Sequence, residues 1–164
     1  MQRVTNCVLE DGGSVLLLQK PSRNWWVAPG GKMEQGESVR EAVVREFWEE
    51  TGLIVKNPHI RGIFTFLIIE NDIIVSEWMM FTFAASTWEG LLREKSPEGN
   101  LAWQKKANVP ALDMAPGDKH IFQHVLGNMD KVLYGTFRYT PDYKLLDASF
   151  QADEASDEEG MDRK

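Results

Sequence analysis

Three glutamates near the end of a predicted helix are the residues best placed to do chemistry. Glu46, Glu49 and Glu50 lie in the last two turns of a helix predicted over residues 39–51. On a helical wheel with about 100° per residue, Glu46 and Glu50 fall near the centre of the apolar stripe and Glu49 falls at its edge. The pattern therefore predicts carboxylates that face inward.

Such a cluster is electrostatically unfavourable without a cation. Carboxylates near a helix C-terminus oppose the helix macrodipole by about 0.3–1 kcal/mol each. Glu46 and Glu50 are also a like-charge i,i+4 pair, which costs about 0.2–0.5 kcal/mol, and Arg45 alone cannot neutralise three acids. Oxygen ligands without a histidine or cysteine companion favour Mg²⁺, with Mn²⁺ as the alternative, over Zn²⁺. The sequence thus predicts a metal site, and a solvated acidic face is the other interpretation.

The predicted helix has signals at both ends. Ser38 and Glu41 form an S-x-x-E capping box, and Gly52 stands where a left-handed residue ends a helix. Upstream, Pro29-Gly30-Gly31 predicts an extended segment that turns sharply. The glutamates are therefore expected to lie on a helix that follows a glycine turn.

The remaining pattern is rich in strands and predicts an α+β layered domain. Asp118 is expected to be the N-cap of a second helix that runs to about Leu126. Three hairpins are expected, and they pair Val4–Leu9 with Ser14–Gln19, 60–69 with 73–85, and Val132–Tyr139 with Tyr143–Leu146. A further strand, Leu101–Trp103, is expected after a polar loop.

Composition limits the class of protein. The 164 residues, with 43% hydrophobic and 26% charged content, predict one domain over 1–150 and a disordered acidic tail over 151–164. The chain has no apolar run of about 20 residues, so no membrane partner is expected. The net charge of −7 leaves no basic field for polymeric nucleic acid. A single cysteine and the absence of a secretory signal favour a cytoplasmic location.

Several of these residues share the spacing of a known motif. They are Gly31, Glu37, Arg45-Glu46-Phe47, Glu49-Glu50 and Gly52-Leu53. In this spacing the chain resembles the Nudix hydrolases, whose box binds divalent cations and hydrolyses nucleoside diphosphate linkages. The resemblance implies an α/β/α sandwich with a mixed central sheet, to which a C-terminal β-hairpin is added.

The resemblance also implies roles for individual residues. Glu46, Glu49 and Glu50 would be metal ligands together with the backbone carbonyl of Gly30. Arg45 and Glu37 would form an ion pair that orients the cluster, so the implied catalytic residues include Arg45, Glu37, Glu49 and Glu50.

A further carboxylate from a loop outside the box is expected to act as a metal ligand or base. Glu98 is the candidate and Glu94 the competitor. Gly31 and Lys32 would meet substrate phosphates, and so would Lys20 and Arg23 unless these two are ordinary surface charges.

Outside the box the chain resembles MutT-type enzymes that hydrolyse oxidised purine nucleoside triphosphates. The shared residues are Asp113-Met114, Pro116, Asp118 and Gly135-x-Phe137. Val27, Ala115 and Gly117 stand where that type has base-contacting residues, so only Asp118 remains of the base-contacting set. Trp25, Trp26 or Phe66 could stack on a base instead, with core packing as the alternative.

The expected activity is Mg²⁺-dependent hydrolysis of a nucleoside triphosphate to a monophosphate and pyrophosphate, with 8-oxo-dGTP or another oxidised purine nucleotide as the leading substrate. A nucleoside diphosphate or nucleotide-sugar hydrolase is the second reading. A nucleotide-sensing module without catalysis is the third, and the complete set of box carboxylates speaks against it. The expected partner is the nucleotide, and a homodimer is left open.

Overall fold

A computed structural model describes residues 1–127 and 130–153, which form eleven strands, two α-helices and one 3₁₀ helix. The helices are α1 (Val39–Thr51), the 3₁₀ helix (Lys106–Ala111) and α2 (Pro116–Val125). The strands are β1 (Gln2–Asp11), β2 (Ser14–Gln19), β3 (Trp26–Val27), β4 (Gly30–Lys32), β5 (Leu53–Lys56), β6 (His59–Glu70), β7 (Ile73–Ala85), β8 (Thr87–Gly90), β9 (Asn100–Lys105), β10 (Leu133–Tyr139) and β11 (Leu145–Ala152).

The sheet is mixed, as the family resemblance implied. Its order is β11-β10-β6-β7-β1-β2-β3, with β4 paired to β1 and β9 paired to β2. The pairs β1–β7 and β6–β10 are parallel, and the other pairs in this sheet are antiparallel. Strands β5 and β8 form a separate two-stranded sheet.

The predicted hairpins are confirmed. Strands β1 and β2 pair around Gly12, which has a φ of 61°. Strands β6 and β7 pair around Asn71 and Asp72, with φ values of 53° and 62°. Two consecutive positive φ angles are typical of the tight turn that matches the twist of a β-hairpin, and Asn and Asp tolerate them.

Helix α1 also forms as predicted, with a complete capping box. The Ser38 hydroxyl accepts a hydrogen bond from the Glu41 N–H at 3.1 Å, and the Glu41 carboxylate accepts one from the Ser38 N–H at 2.8 Å. At the other end Gly52 has a φ of 83°, and its N–H donates to the Trp48 carbonyl. These caps fix where the helix starts and stops, and hence where the glutamates lie.

The two helices pack on opposite faces of the sheet, which gives the layered sandwich. On one face Val43 and Phe47 of α1 pack against Cys7 and Leu9 of β1. On the other face side chains of α2 join a core of strand residues that includes Phe64, Phe66 and Phe137.

Two local predictions are corrected. Asp118 is not the N-cap of α2, because Ala115 is the N-cap and Asp118 lies in the first helical turn. Pro116 has a fixed φ suited to the first helical position, so the helix begins three residues earlier than expected. Strand β11 begins at Leu145, since Tyr143 takes a φ of 65° in the preceding turn.

The C-terminal boundary is also later than predicted. Strand β11 runs through Ala152, two residues past the expected domain end at 150. Residues 154–164 of the predicted tail lie outside the described residues.

Candidate active site

The three box glutamates differ in burial in the order that the helical wheel indicates. Glu50 is 7% exposed. The side chain of Glu46 is 17% exposed, whereas that of Glu49 is 48% exposed. The last two turns of α1 therefore carry one buried, one half-buried and one open carboxylate.

Two glycines of β4 let the backbone approach these carboxylates. The Gly30 N–H donates a hydrogen bond to Glu50 Oε1 at 3.1 Å. A Cβ on Gly31 would collide with Glu46 Oε1, and a Cβ on Gly30 would collide with the Thr5 carbonyl of β1. Close approach, rather than an unusual φ, is thus the reason for glycine at both positions.

The guanidinium of Arg45 donates hydrogen bonds to three carboxylates near α1, those of Glu37, Glu46 and Glu49. Its guanidinium binds Glu37 through two hydrogen bonds, Nε to Oε2 at 2.6 Å and Nη2 to Oε1 at 3.0 Å. Nη1 donates to Glu46 Oε2 at 2.9 Å and to Glu49 Oε2 at 3.2 Å, and Nη2 donates to the Lys32 carbonyl at 3.1 Å. Such a fork holds several oxygens in one geometry.

The Arg45–Glu37 pair shifts both pKa values in the direction of the charged forms. The hydrogen bond from Arg45 lowers the pKa of Glu37 from 4.5 to about 2. The same hydrogen bond is the largest cause that raises the pKa of Arg45. The pair therefore stays ionised over the range in which enzymes work.

Glu50 is perturbed in the opposite direction. Burial raises its pKa from 4.5 to about 7, the Gly30 N–H and the charge of Lys20 lower it, and the charges of Glu98 and Glu46 raise it further. A buried carboxylate among other carboxylates is favourable when a cation joins the group. The charges of Lys20, Glu98 and Glu46 therefore all act on the Glu50 carboxylate.

The carboxylates of Glu46, Glu49 and Glu50 are suitable ligands for a hard divalent cation. In this structure Arg45 is hydrogen-bonded to two of them, Glu46 and Glu49. Within residues 1–127 and 130–153, no three acidic, histidine or cysteine side chains are arranged as a metal-binding group. Arg45 occupies oxygens of Glu46 and Glu49, so a cation would compete with its Nη1 for them. Carboxylate oxygens around buried Glu50 are the ligands that Mg²⁺ prefers.

The loop carboxylate and the lysine before the box lie together. Lys20 Nζ is 3.9 Å from Glu98 Oε1. The Glu98 N–H donates to the hydroxyl of Ser96, a buried residue that pairs with Gly99. The charge of Glu98 helps to raise the pKa of Glu50, whereas the competitor Glu94 is an exposed residue.

Arg23, Lys32 and Asp118 were predicted to contact the substrate, and each lies in a different environment. Arg23 lies over the rings of Trp25 and Tyr143, 5.0 Å from each centroid. The Lys32 residue is exposed, although its carbonyl accepts from Arg45. Burial raises the pKa of Asp118 from 3.8 to about 7. Their roles toward a substrate stay predictions.

The stack of aromatic side chains on the α2 face was missed from the sequence. Phe66 lies between the rings of Trp78 and Phe137, at centroid distances of 5.2 and 5.1 Å. The available signal was the alternation in β6 and β7, which places Phe64 and Phe66 on the same side of one strand and Trp78 and Met80 on the same side of the next.

Sequence and structure comparisons agree with this geometry. The NUDIX domain family matches residues 1–125. The chain belongs to the Nudix hydrolase family. This Nudix hydrolase is 55% identical over 146 residues to the Nudix hydrolase YvcI of Bacillus subtilis (strain 168), which covers 89% of the chain and 92% of the relative.

Two further relatives bear on the type of Nudix hydrolase. The crystal structure of a MutT protein from Bacillus halodurans superposes with a TM-score of 0.90 at 59% identity, and the match covers 92% of this chain and 98% of that one. The oxidized purine nucleoside triphosphate hydrolase of Mus musculus is 27% identical over 126 residues, 77% of each chain. The protein is thus a MutT-like Nudix hydrolase.

Family membership carries two general properties. Nudix hydrolases bind nucleotide substrates and generally use divalent metal ions.

In the part of the chain that the structure describes, no helix is long and apolar enough to cross a membrane.

Proposed function

We propose that this Nudix hydrolase cleaves nucleoside triphosphates to a monophosphate and pyrophosphate with Mg²⁺ as its cofactor. The observation that carries the proposal is the buried carboxylate of Glu50, which accepts the Gly30 N–H and whose pKa is raised by burial and by the charges of Glu98 and Glu46. Such a group of oxygens has no structural advantage unless a cation is bound among them.

The residues that would hold the cation are the four carboxylates of the cluster and one carbonyl. The ligands are Glu46, Glu49, Glu50, Glu98 and the Gly30 carbonyl. When bound, the divalent ion neutralises phosphate oxygens and lowers the pKa of an attacking water.

The side chains divide the remaining tasks among them. Arg45, held by Glu37, orients Glu46 and Glu49. Glu49 and Glu98 are the more exposed carboxylates, with side chains 48% and 54% exposed, so one of these accepts the proton of the attacking water.

Substrate phosphates are met by positive charge and by backbone amides. Lys20 lies beside the cluster through its ion pair with Glu98. Lys32 and the Gly31 amide follow on β4, and Arg23 lies on the neighbouring loop. Burial raises the pKa of Asp118 to about 7, so its protonated form would donate a hydrogen bond to the base.

Oxidised purine nucleotides, 8-oxo-dGTP among them, are the leading specific substrates. Support comes from the likeness to the Bacillus halodurans MutT protein and to the mouse oxidized purine nucleoside triphosphate hydrolase. The substitutions at Val27, Ala115 and Gly117 mean that the base would be contacted by a different set of side chains.

The test is a substrate panel with Mg²⁺ in which pyrophosphate and phosphate release are followed separately. Pyrophosphate from triphosphates is the expected result. Phosphate from diphosphates, or cleavage of nucleotide sugars alone, would favour the second reading, and binding without turnover would favour a sensor. In the same assay Glu50→Gln should lose turnover, and Glu41→Gln on the same helix is its matched control, because glutamine keeps the capping box.

A further inference from the structure

The loop between β8 and β9 starts at the C-terminal end of α1. Leu53, which follows the helix cap Gly52, is the register partner of Gly90 at the end of β8. A Cβ on Gly52 would collide with the Leu91 carbonyl, and a Cβ on Gly90 would collide with the Gly52 carbonyl. The two glycines therefore let residues 91–93 run close to the last turn of the helix that carries the glutamates.

Arg93 of this loop binds two of the carbonyls that α1 leaves without a partner inside the helix. Its backbone N–H donates to the Thr51 carbonyl at 2.8 Å, and its side-chain Nε donates to the Glu49 carbonyl at 3.1 Å. The guanidinium also lies over the ring of Trp48, 5.5 Å from the centroid. The last turn of α1 contains no basic residue of its own, so Arg93 supplies the positive charge that is favourable at a helix C-terminus.

The same loop is attached a second time, next to Glu98. Ser96 and Gly99 exchange backbone hydrogen bonds of 3.2 and 3.3 Å, and the Glu98 N–H donates to the Ser96 hydroxyl at 3.1 Å. A Cβ on Gly99 would collide with the Gln19 carbonyl of β2. Two attachments, one at the end of α1 and one beside β2, thus limit where the Glu98 carboxylate can lie.

The Glu98 side chain needs such support, because it is 54% exposed. Its ion-pair partner is Lys20, whose Nζ lies 3.9 Å from Glu98 Oε1. An exposed ion pair contributes little to holding a side chain in place. The charge of Glu98 nevertheless acts on the buried Glu50 carboxylate, so the attachments of the loop backbone would keep Glu98 close to the group of metal ligands.

We propose that Arg93 is a positioning residue, which holds Glu98 in reach of the cation by attaching the Glu98 loop to the end of α1. The inference rests on the proposed function, in which Glu98 is a metal ligand or accepts the proton of the attacking water. Arg93 binds the backbone of the helix that carries the box glutamates and belongs to the loop that carries the carboxylate from outside the box. It therefore acts through Glu98 and fixes the distance between the two parts of the site.

The test is a double-mutant cycle of Arg93→Ala and Glu98→Gln, with kcat and KM measured on a nucleoside triphosphate that the wild-type protein cleaves with Mg²⁺. We expect Arg93→Ala to lower kcat by about 10- to 100-fold with KM nearly unchanged, as for other residues that support a metal ligand. In the Glu98→Gln background Arg93→Ala should have no further effect on kcat, because the group that Arg93 positions is already lost. Lys95→Ala, which removes an exposed cation of the same loop, is the control and should keep the wild-type kcat.

Hydrogen exchange of the metal-free protein gives a second readout, which does not depend on activity. In Arg93→Ala the amides of residues 93–99 should lose protection, whereas Lys95→Ala should exchange like the wild type. Arg93→Lys serves if Arg93→Ala does not fold. Lysine keeps the positive charge at the helix end but cannot both donate through Nε and stack its planar group on Trp48, so kcat should still fall.

Three results would overturn the inference while leaving the metal site on α1 intact. They are independent, additive effects of Arg93→Ala and Glu98→Gln on kcat, wild-type kcat in a folded Arg93→Lys or Glu98→Gln protein, and unchanged exchange of residues 93–99 in Arg93→Ala. A wild-type protein that releases no pyrophosphate from nucleotides with Mg²⁺ would instead overturn the proposed function.

Discussion

Glu50 on the α1 side of the sheet and Asp118 on the α2 side are both carboxylates whose pKa burial raises to about 7. Their surroundings differ. The Glu50 carboxylate is affected by the charges of Lys20, Glu98 and Glu46 and accepts the Gly30 N–H. For Asp118, burial is the cause of the shift, and its charge in turn helps to raise the pKa of Tyr139. The comparison teaches that burial alone accounts for the raised pKa of Asp118, whereas the pKa of Glu50 also depends on neighbouring charges of both signs.

The largest expected effect comes from neutralising the acid on the α1 side. Glu50→Gln should lower kcat by about a thousandfold or more, because a ligand worth several kcal/mol of transition-state stabilisation is lost. Glu49→Gln should also lower kcat by orders of magnitude. Steady-state kinetics with Mg²⁺ measure both, and circular dichroism checks that the fold survives. Full Mg²⁺-dependent turnover in the double variant would exclude the metal-site assignment.

A smaller change tests whether the close approach at β4 matters for activity rather than for folding. In Gly31→Ala the new Cβ would meet the flexible end of Glu46, so the carboxylate must move. We expect kcat to fall by about 10- to 100-fold, as for other displaced ligand supports, with little change in Tm. Gly13→Ala is the matched control, since a Cβ there meets nothing within 4 Å. Equal activity of the two variants would contradict the role of Gly31.

Arg45→Lys tests whether the guanidinium of Arg45 orients the glutamates on the α1 side. Lysine keeps the charge but cannot reproduce the two hydrogen bonds to Glu37. The expected result is a roughly tenfold loss of kcat with KM nearly unchanged, because the ligands lose orientation but not charge. Arg40→Lys, on the same helix, provides the control. A change in KM alone would instead assign Arg45 to substrate binding.

The α2 side should respond in stability and in its pH dependence. The folded pKa of Asp118 is about 7 against 3.8 ordinarily, so the folded chain holds more protons between these values and stability falls as pH rises through them. Asp118→Asn removes that loss and should be more stable than the wild type by roughly 4 kcal/mol at about pH 8, at about 1.4 kcal/mol per unit of pKa difference, with the difference vanishing below about pH 4. Denaturant unfolding at several pH values measures it. Asp72→Asn at the β6–β7 turn is the control, and a pH-independent difference would show that Asp118 is not protonated in the fold.

Much of the α1 side could be predicted from the sequence because its signals are local. The capping box and Gly52 lie within one helix length, and the period of the apolar residues orders the glutamates by burial. The parallel pairing of β1 with β7 and of β6 with β10 could not be obtained from strand patterns, because it joins segments far apart in the chain. The mixed sheet was therefore predicted through the family resemblance.

The α2 side was less predictable for the same reason. Asp118 has the residue type of an N-cap, but the fixed φ of Pro116 starts the helix earlier. The position of Arg23 over two rings depends on Tyr143, which is contributed by the distant β10–β11 turn. The stack that ends at Trp78 likewise needs three strands in register, and only the fold supplies that alignment.

The most direct measurement is an anomalous difference map from crystals grown with Mn²⁺ as a stand-in for Mg²⁺. A peak bounded by the carboxylates of Glu46, Glu49 and Glu50, with Arg45 withdrawn from at least one of them, is the predicted result. Carboxylates turned toward bulk water, with no peak among them at saturating Mn²⁺, would contradict the claim that this acidic group exists to hold a divalent cation.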